Sequence, residues 1–216
     1  MTSPGNAQAA LALQDMALVV LAAGRSTRMG SPKALVELEG RPLLEHLLAP
    51  PLLREFGDVV VVLGHHADAL RPVVARFGYR HVVNPDLDRG RTGSVHAGLR
   101  MLRATVRAVF VQPVDCPIIL PQTYTSLAAA LGSAGVVIPS YRGNRGHPPL
   151  FSARLIPQIL AAGPDEPLRD LWQAPEVGCR LVEVDDPGVL LNIDRPEDLQ
   201  WLASLRAAGR AKGAHR

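Results

Sequence analysis

The sequence predicts an α/β sandwich built on a mostly parallel sheet, in one domain. Two observations carry that prediction. Short, wholly apolar runs rich in β-branched residues, such as Val59 to Leu63, recur along the chain, as expected of strands covered on both faces. Between them stand segments of helical periodicity, many bounded by glycine or proline. A chain of 216 residues with 47% hydrophobic and 20% charged content can bury such a core without disulfides or structural metal.

Taken in order, residues 1–15 (rich in Ser, Pro, Gly, Asn, Ala and Gln) read as a flexible arm, 16–205 as the domain and 206–216 as a basic tail. Ala17–Leu21 forms the first strand and opens into a Gly/Ser/Arg loop from Ala23 to Pro32. Leu43–Glu55 has helical spacing that Pro50 and Pro51 must kink or split. Asp58–Leu63 is the next strand, Ala67–Phe77 a helix, and Arg80–Val83 a short strand running into the loop Asn84–Gly93. Ser94 is expected to N-cap a helix through Arg103, with the strand Val106–Val111 after it. A helix over Pro121–Leu131 and a strand over Gly135–Ile138 lead to the long loop Ser140–Pro149. A helix from Ser152 to Leu160, a short helix Glu166–Trp172, the strand Arg180–Val184 and a last helix from Pro196 to about Leu205 complete the chain.

Composition excludes several functions. The net charge of +3 arises in the tail, because residues 16–205 hold 19 basic and 19 acidic groups. Aromatic content of 4% leaves little to stack on single-stranded bases, so no nucleic-acid partner is expected. Cys116 and Cys179 are the only cysteines, which argues against a disulfide framework or thiolate zinc site and fits a reducing cytoplasm. No Lys or Arg precedes Arg25, so a secretory leader lacks its positive region. The longest apolar run, Met16–Ala23, is too short to cross a bilayer, and no membrane partner is expected. Within the domain the signs separate: residues 16–154 carry 16 basic and 9 acidic groups, residues 155–205 carry 3 and 10. That is compatible with an anionic small ligand and equally with uneven solvated charge. Lysine is the rare residue, with only Lys33 and Lys212 beside 21 arginines.

In open α/β sheets ligands bind beyond the carboxyl ends of the strands. After the first strand stand Leu21, Ala22, Ala23, Gly24, Arg25, Ser26, Thr27, Arg28, Met29, Gly30, Ser31, Pro32 and Lys33. Gly24 and Gly30 let backbone amides approach phosphate oxygens, and Arg25, Arg28 and Lys33 supply positive charge. The spacing is neither a Walker loop nor a dinucleotide fingerprint, so these residues alone give an anion-binding loop. Asp115 follows the strand ending at Val111, and Asp194 precedes the last helix. Two carboxylates facing a cationic loop could hold Mg²⁺ against a nucleotide. Their ordinary readings are a turn residue before Pro117 and an acid favoured at a helix start. The amides around Gly93 and the Ser94 hydroxyl could grip a phosphate or a base edge. Arg145 and His147 lie in a loop long enough to bind substrate. His65 and His66 also follow a strand end, and no role is assigned to them.

These segments together resemble the MobA-like nucleotidyltransferases, and most closely the molybdenum cofactor cytidylyltransferases. The resemblance rests on Leu21 to Gly30 with Lys33, Asn84-Pro85 followed by Gly93-Ser94 and Ala97-Gly98-Leu99, Asp115, Arg145 to Pro148 with Leu150-Phe151, and Asn192 to Asp198. It implies a three-layer Rossmann-like fold of the nucleotide-diphospho-sugar transferase type. It also implies transfer of CMP from CTP to the phosphate of a molybdopterin-type cofactor, with pyrophosphate released. The residues from Leu21 to Gly30 would hold the nucleotide, Lys33 and Arg28 would act on the triphosphate, and Gly93 and Ser94 would lie at the base. Asp115 and Asp194 would bind Mg²⁺ or Mn²⁺, and Arg145 and His147 the acceptor. Ala23 goes with the CTP-using members, since a methyl there narrows the base pocket against a purine. A molybdoenzyme would receive the product. Same-chemistry transfer to a sugar or alditol phosphate, and a non-catalytic cofactor carrier, are the competing readings. The sequence departs from the family at Cys116, where glutamine is usual, and at Arg195, where threonine is usual.

Overall fold

The computed structural model describes residues 11–25, 32–86, 90–195, 197–200 and 202. Its elements in chain order begin with β1 (Met16–Ala22), the small hairpin β2 (Glu37–Leu38) and β3 (Arg41–Pro42), α1 (Leu43–Leu48), β4 (Asp58–Leu63) and α2 (Ala67–Phe77). Next come β5 (Arg80–Val83), α3 (Arg91–Leu99), β6 (Ala108–Pro113), α4 (Pro121–Ala130), β7 (Val136–Tyr141), β8 (Asn144–Arg145) and β9 (Leu150–Ser152). The chain continues through α5 (Ile156–Ala161), α6 (Leu168–Gln173) and β10 (Cys179–Glu183), and residues 197–200 are again helical. Among the described residues no helix is long and apolar enough to cross a membrane.

One eight-stranded sheet organises the fold, in the order β10-β7-β9-β6-β1-β4-β5, with β8 paired to β7. β1 lies parallel to β4 on one side and to β6 on the other, so Leu18 faces both Val59 and Phe110 across the ladders. Every residue of β1, β4 and β6 is buried, which is why their sequences are apolar runs rather than alternations. Side chains still alternate between two cores. Met16, Leu18 and Val20 join Leu44, Leu70 and Phe110 on one face; Ala17, Val19 and Leu21 join Val95, Val109 and Phe151 on the other. Helices on both faces make the three-layer α/β sandwich expected. The layers close tightly at Gly98 of α3, where a methyl would collide with Val19 Cγ1 and lie 2.9 Å from Val62 Cγ2.

Several boundaries differ from expectation. Leu43–Glu55 is split as its prolines require, into α1 and a 3-10 turn over Pro51–Glu55. The helix expected from Ser94 begins at Arg91 with Gly90 as its N-cap, and ends at Leu99 rather than Arg103. Tertiary contacts set that start: the Gly90 N–H donates to Asp165 Oδ1 at 2.8 Å, and the Thr92 hydroxyl to the Glu166 carbonyl. Ser94 is therefore inside the helix and caps nothing. The loop Ser140–Pro149 contains the end of β7 and all of β8. Ser152, expected to open a helix, instead pairs with Ala108 in β9, an antiparallel strand wedged between β6 and β7. Three strand residues running into a 3-10 turn over Ala153–Leu155 present no period that separates them from a helix. At the N-terminus, Leu11–Asp15 falls in the stretch read as an arm; Leu13 is buried and its carbonyl accepts from the Gly57 N–H at 3.2 Å.

Candidate active site

The carboxyl ends of β1, β4 and β6 lie side by side, and several of the candidate residues follow them. Leu21 and Ala22 finish β1, and Ala23 is buried just beyond it. The Val114 N–H donates to the Leu21 carbonyl at 3.0 Å, stitching the end of β6 to that of β1. Gly24 and Arg25 emerge exposed from this edge. Ser26, Arg28 and Gly30, assigned to the nucleotide and its triphosphate, lie outside the described residues.

The turn after β4 grips the base of this loop. Gly64 packs so closely that a methyl on it would collide with the Ala23 carbonyl oxygen and sit 2.7 Å from Ala23 Cα. Arg25 Nε donates to His65 Nε2 at 3.1 Å, and His66 Nε2 lies 3.3 Å from the Arg25 carbonyl oxygen. Both histidines, given no role on sequence, thus hold Arg25 from two directions. The available signal was Gly-His-His directly at a strand end.

Lys33 occupies a 3-10 turn, Lys33–Leu35. Its ammonium lies 2.6 Å from Asp194 Oδ1 and 3.5 Å from Asp115 Oδ2. Lys33 and Asp115 are mostly shielded, at 16% and 17% side-chain exposure, whereas Asp194 is half exposed at 51%. The two carboxylates therefore converge on one cation from separate segments. That donor set fits a divalent ion, which takes one or two carboxylates and completes its shell with phosphate and water. Among the described residues no group of three or more His, Cys, Asp or Glu is placed to hold a metal, so a nucleotide would have to complete the coordination.

Each carboxylate is fixed by backbone. The Ile193 N–H donates to the Asp115 carbonyl at 2.9 Å, joining the two metal-ligand candidates by one hydrogen bond between their segments. Gln112, wholly buried in β6, donates from Nε2 to the Cys116 carbonyl at 2.6 Å and accepts from the Tyr124 hydroxyl at 3.1 Å. A glutamine inside the run Ala-Val-Phe-Val-Gln-Pro was the overlooked signal for a loop-positioning residue. Ile193 and Leu191 bury with Leu38, Leu43 and Leu202, which anchors the segment carrying Asp194. Asp198 Oδ2 accepts from the N–H groups of both Asp194 and Arg195 at 2.8 Å, supplying the capping that Arg195 itself cannot.

The Cys116 thiol is fully buried and donates to Asn192 Oδ1 at 3.2 Å. Burial, reinforced by the Asp115 carboxylate, pushes this thiol well above its ordinary value, so it is no nucleophile. The departure from glutamine therefore falls on an inward-facing packing position.

Ser94 lies in the second turn of α3, and its Oγ accepts from Asn84 Nδ2 at 3.1 Å. The Gly93 N–H donates to the Gly90 and Pro164 carbonyls, so it is engaged within the chain. His147 follows β8, its N–H donating to the Val189 carbonyl at 2.8 Å. Burial pushes its imidazole down, the Asp115 carboxylate opposing and the Arg91 guanidinium adding to the effect. His147 is thus held toward its neutral form within reach of the Asp115 charge, and its buried Nδ1 has no hydrogen-bond partner among the described residues. Arg91 was missed by sequence reasoning; it is exposed at the start of α3 and its charge reaches Cys116 and His147. Arg145 is exposed on β8 and its charge is felt at Cys179 of β10.

Residues 18–181 match the family model of the MobA-like NTP transferase domain. The chain belongs to that family. The match covers the nucleotide loop, Lys33, Ser94 and Asp115, and Asp194 stands beyond its end. Among curated relatives, the bifunctional protein GlmU of Sorangium cellulosum is 38% identical over 125 residues. That alignment takes in 54% of this chain but 26% of the relative, so the chain spans about a quarter of that protein's length. Among solved structures, a homologue of Mycobacterium tuberculosis rv0371c from Mycobacterium sp. strain JC1 is 28% identical, with a TM-score of 0.77 over 88% of this chain and 96% of that one. A nucleotidyl transferase from Methanothermobacter thermautotroptrophicus is 25% identical, also with a TM-score of 0.77, over 89% and 98% of the two chains. Each match covers nearly the whole of the solved chain, so the architecture is shared along its length.

Proposed function

We propose that this MobA-like NTP transferase domain moves CMP from CTP to the phosphate of a molybdopterin-type cofactor and releases pyrophosphate. The observation that carries the reading is Lys33 set between Asp115 and Asp194 beside the carboxyl end of β1. An oxygen of the acceptor phosphate attacks the α-phosphorus in line, and the bond from that phosphorus to the β-phosphate bridging oxygen breaks. The acceptor phosphate is ionised at neutral pH, so no residue need remove a proton, which suits a neutral His147 as a contact rather than a base.

Catalysis of this kind is positioning plus charge neutralisation. Lys33 moves from its carboxylate partners onto the triphosphate, and Arg25 and Arg28 present further charge from the loop. Asp115 and Asp194 would hold Mg²⁺, or Mn²⁺, which supplies positive charge against the triphosphate and the departing pyrophosphate. Ser94 touches the base, while the buried Ala23 methyl, backed by Gly64, leaves room for a pyrimidine. His147 and Arg145 would contact the acceptor, and the product would pass to a molybdoenzyme in the cytoplasm.

A panel of acceptors tests the proposal. With CTP and Mg²⁺, the reduced molybdopterin-type cofactor should give a CMP adduct by mass spectrometry. An adduct formed only with a sugar or alditol phosphate would move the reading to that substrate class. Tight cofactor binding with no adduct from any acceptor would favour a carrier.

A further inference from the structure

Asn84, which the mechanism above does not use, lies at the end of β5 and is 3% exposed. Its side-chain oxygen accepts from the Asp86 N–H at 3.1 Å. This local turn settles which end of the amide faces inward, because only the oxygen can accept. Nδ2 then donates to Ser94 Oγ at 3.1 Å and to the Asp86 carbonyl at 3.3 Å, so both amide hydrogens are committed. The Ser94 hydroxyl, already accepting from Asn84, keeps its own proton for another partner, and it donates to no other described residue. A hydroxyl normally offers both a donor and acceptor lone pairs. Here the Asn84 bond biases it toward donation.

We propose that Asn84 is a specificity-determining positioning residue that fixes Ser94 as a hydrogen-bond donor toward N3 of a pyrimidine. Cytosine N3 is a lone-pair acceptor, whereas uracil N3 carries a hydrogen. A fixed donor therefore satisfies cytosine and meets uracil donor to donor, leaving both groups unpaired at a serine that is itself buried. Sites that hydrogen-bond a substrate reject the analogue that cannot answer far more strongly than sites that merely enclose it. The inference rests on the reading of Ser94 as a base contact and adds the residue that sets its polarity.

The test measures dissociation constants of CTP and UTP, each with Mg²⁺, for the wild type, Asn84→Asp and Asn84→Ala. In Asn84→Asp the carboxylate accepts the Ser94 proton, which leaves Ser94 only lone pairs to show the base. The wild type should bind CTP about tenfold more tightly than UTP, and Asn84→Asp should lower that ratio by at least about tenfold. Asn84→Ala frees the hydroxyl to rotate and should bring the ratio near one, chiefly by improving UTP binding; it decides the matter if the aspartate variant does not fold. A merely structural role would weaken both nucleotides together and leave the ratio unchanged. A folded variant that keeps the wild-type ratio overturns the inference, as does a wild type that binds both nucleotides equally. A wild type that binds neither overturns the reading of the site itself.

Discussion

Lys33 Nζ lies 2.6 Å from Asp194 Oδ1, a contact between residues 161 positions apart, and the same ammonium lies 3.5 Å from Asp115 Oδ2. One cation thus neutralises two carboxylates that would otherwise repel each other. If Asp115 and Asp194 hold a divalent ion as proposed, Lys33 occupies its place in the free protein and would yield it to the ion.

Lys33→Gln separates these roles. Loss of the charge from the triphosphate should lower turnover by about 100-fold. The variant should also bind Mg²⁺ more tightly than the wild type without nucleotide, because the two carboxylates lose the competing ammonium. Isothermal titration with Mg²⁺ reads the second effect, and equal or weaker binding would contradict the shared location.

Gly64→Ala should damage the site from outside it. Its methyl would collide with the Ala23 carbonyl, and overpacking of this kind costs about 1–3 kcal/mol. The shift displaces Ala23 and Arg25, so nucleotide affinity should fall even at temperatures where the variant is fully folded. A melting curve paired with CTP titration checks both.

His65→Ala removes the acceptor that holds Arg25 Nε at 3.1 Å. The bond is solvent-exposed and contributes little stability, so melting should be unchanged. The KM for the nucleotide should rise about tenfold with kcat within about twofold, since the bond orients a binding group without serving the transition state alone. An unchanged KM would remove His65 from the account.

Acid should loosen the β7–β8 hairpin that carries Arg145. Glu183 accepts from the Ser140 hydroxyl at 2.6 Å and from the Arg142 and Gly143 N–H groups. The Ser140 bond leads in holding its carboxyl below the usual carboxylate range. A depressed carboxyl contributes stability above its unfolded value and loses it as pH falls through the folded one. Amide exchange at Arg142 and Gly143 should therefore accelerate on acidification across the carboxylate range, and Glu183→Gln should abolish that dependence.

The parts legible in the sequence were those written in local pattern. β1, β4 and β6 are buried on both faces, so apolar runs marked them, and strand-end logic led to Asp115 and to the loop before Lys33, whereas Asp194 follows a 3-10 turn over Pro187–Leu190 rather than a strand. What escaped was written in tertiary contact. The start of α3 is set by Asp165 and Glu166 rather than by Ser94. β9 is three residues long and exists because two neighbours pair with it. His65, Gln112 and Asn84 act through partners that only the folded chain brings near. Cys116 illustrates the same limit, since the sequence shows only a departure from the family pattern and the fold turns its side chain to Asn192.

Pyrophosphate release from CTP is the most direct measurement, made with Mg²⁺ and the reduced cofactor on the wild type, Asp115→Asn and Asp194→Asn. The wild type should release one pyrophosphate per CMP transferred, with both variants slowed by about 100-fold or more. Release that persists at the wild-type rate in either variant, or none from the wild type with any phosphorylated acceptor, would contradict the site.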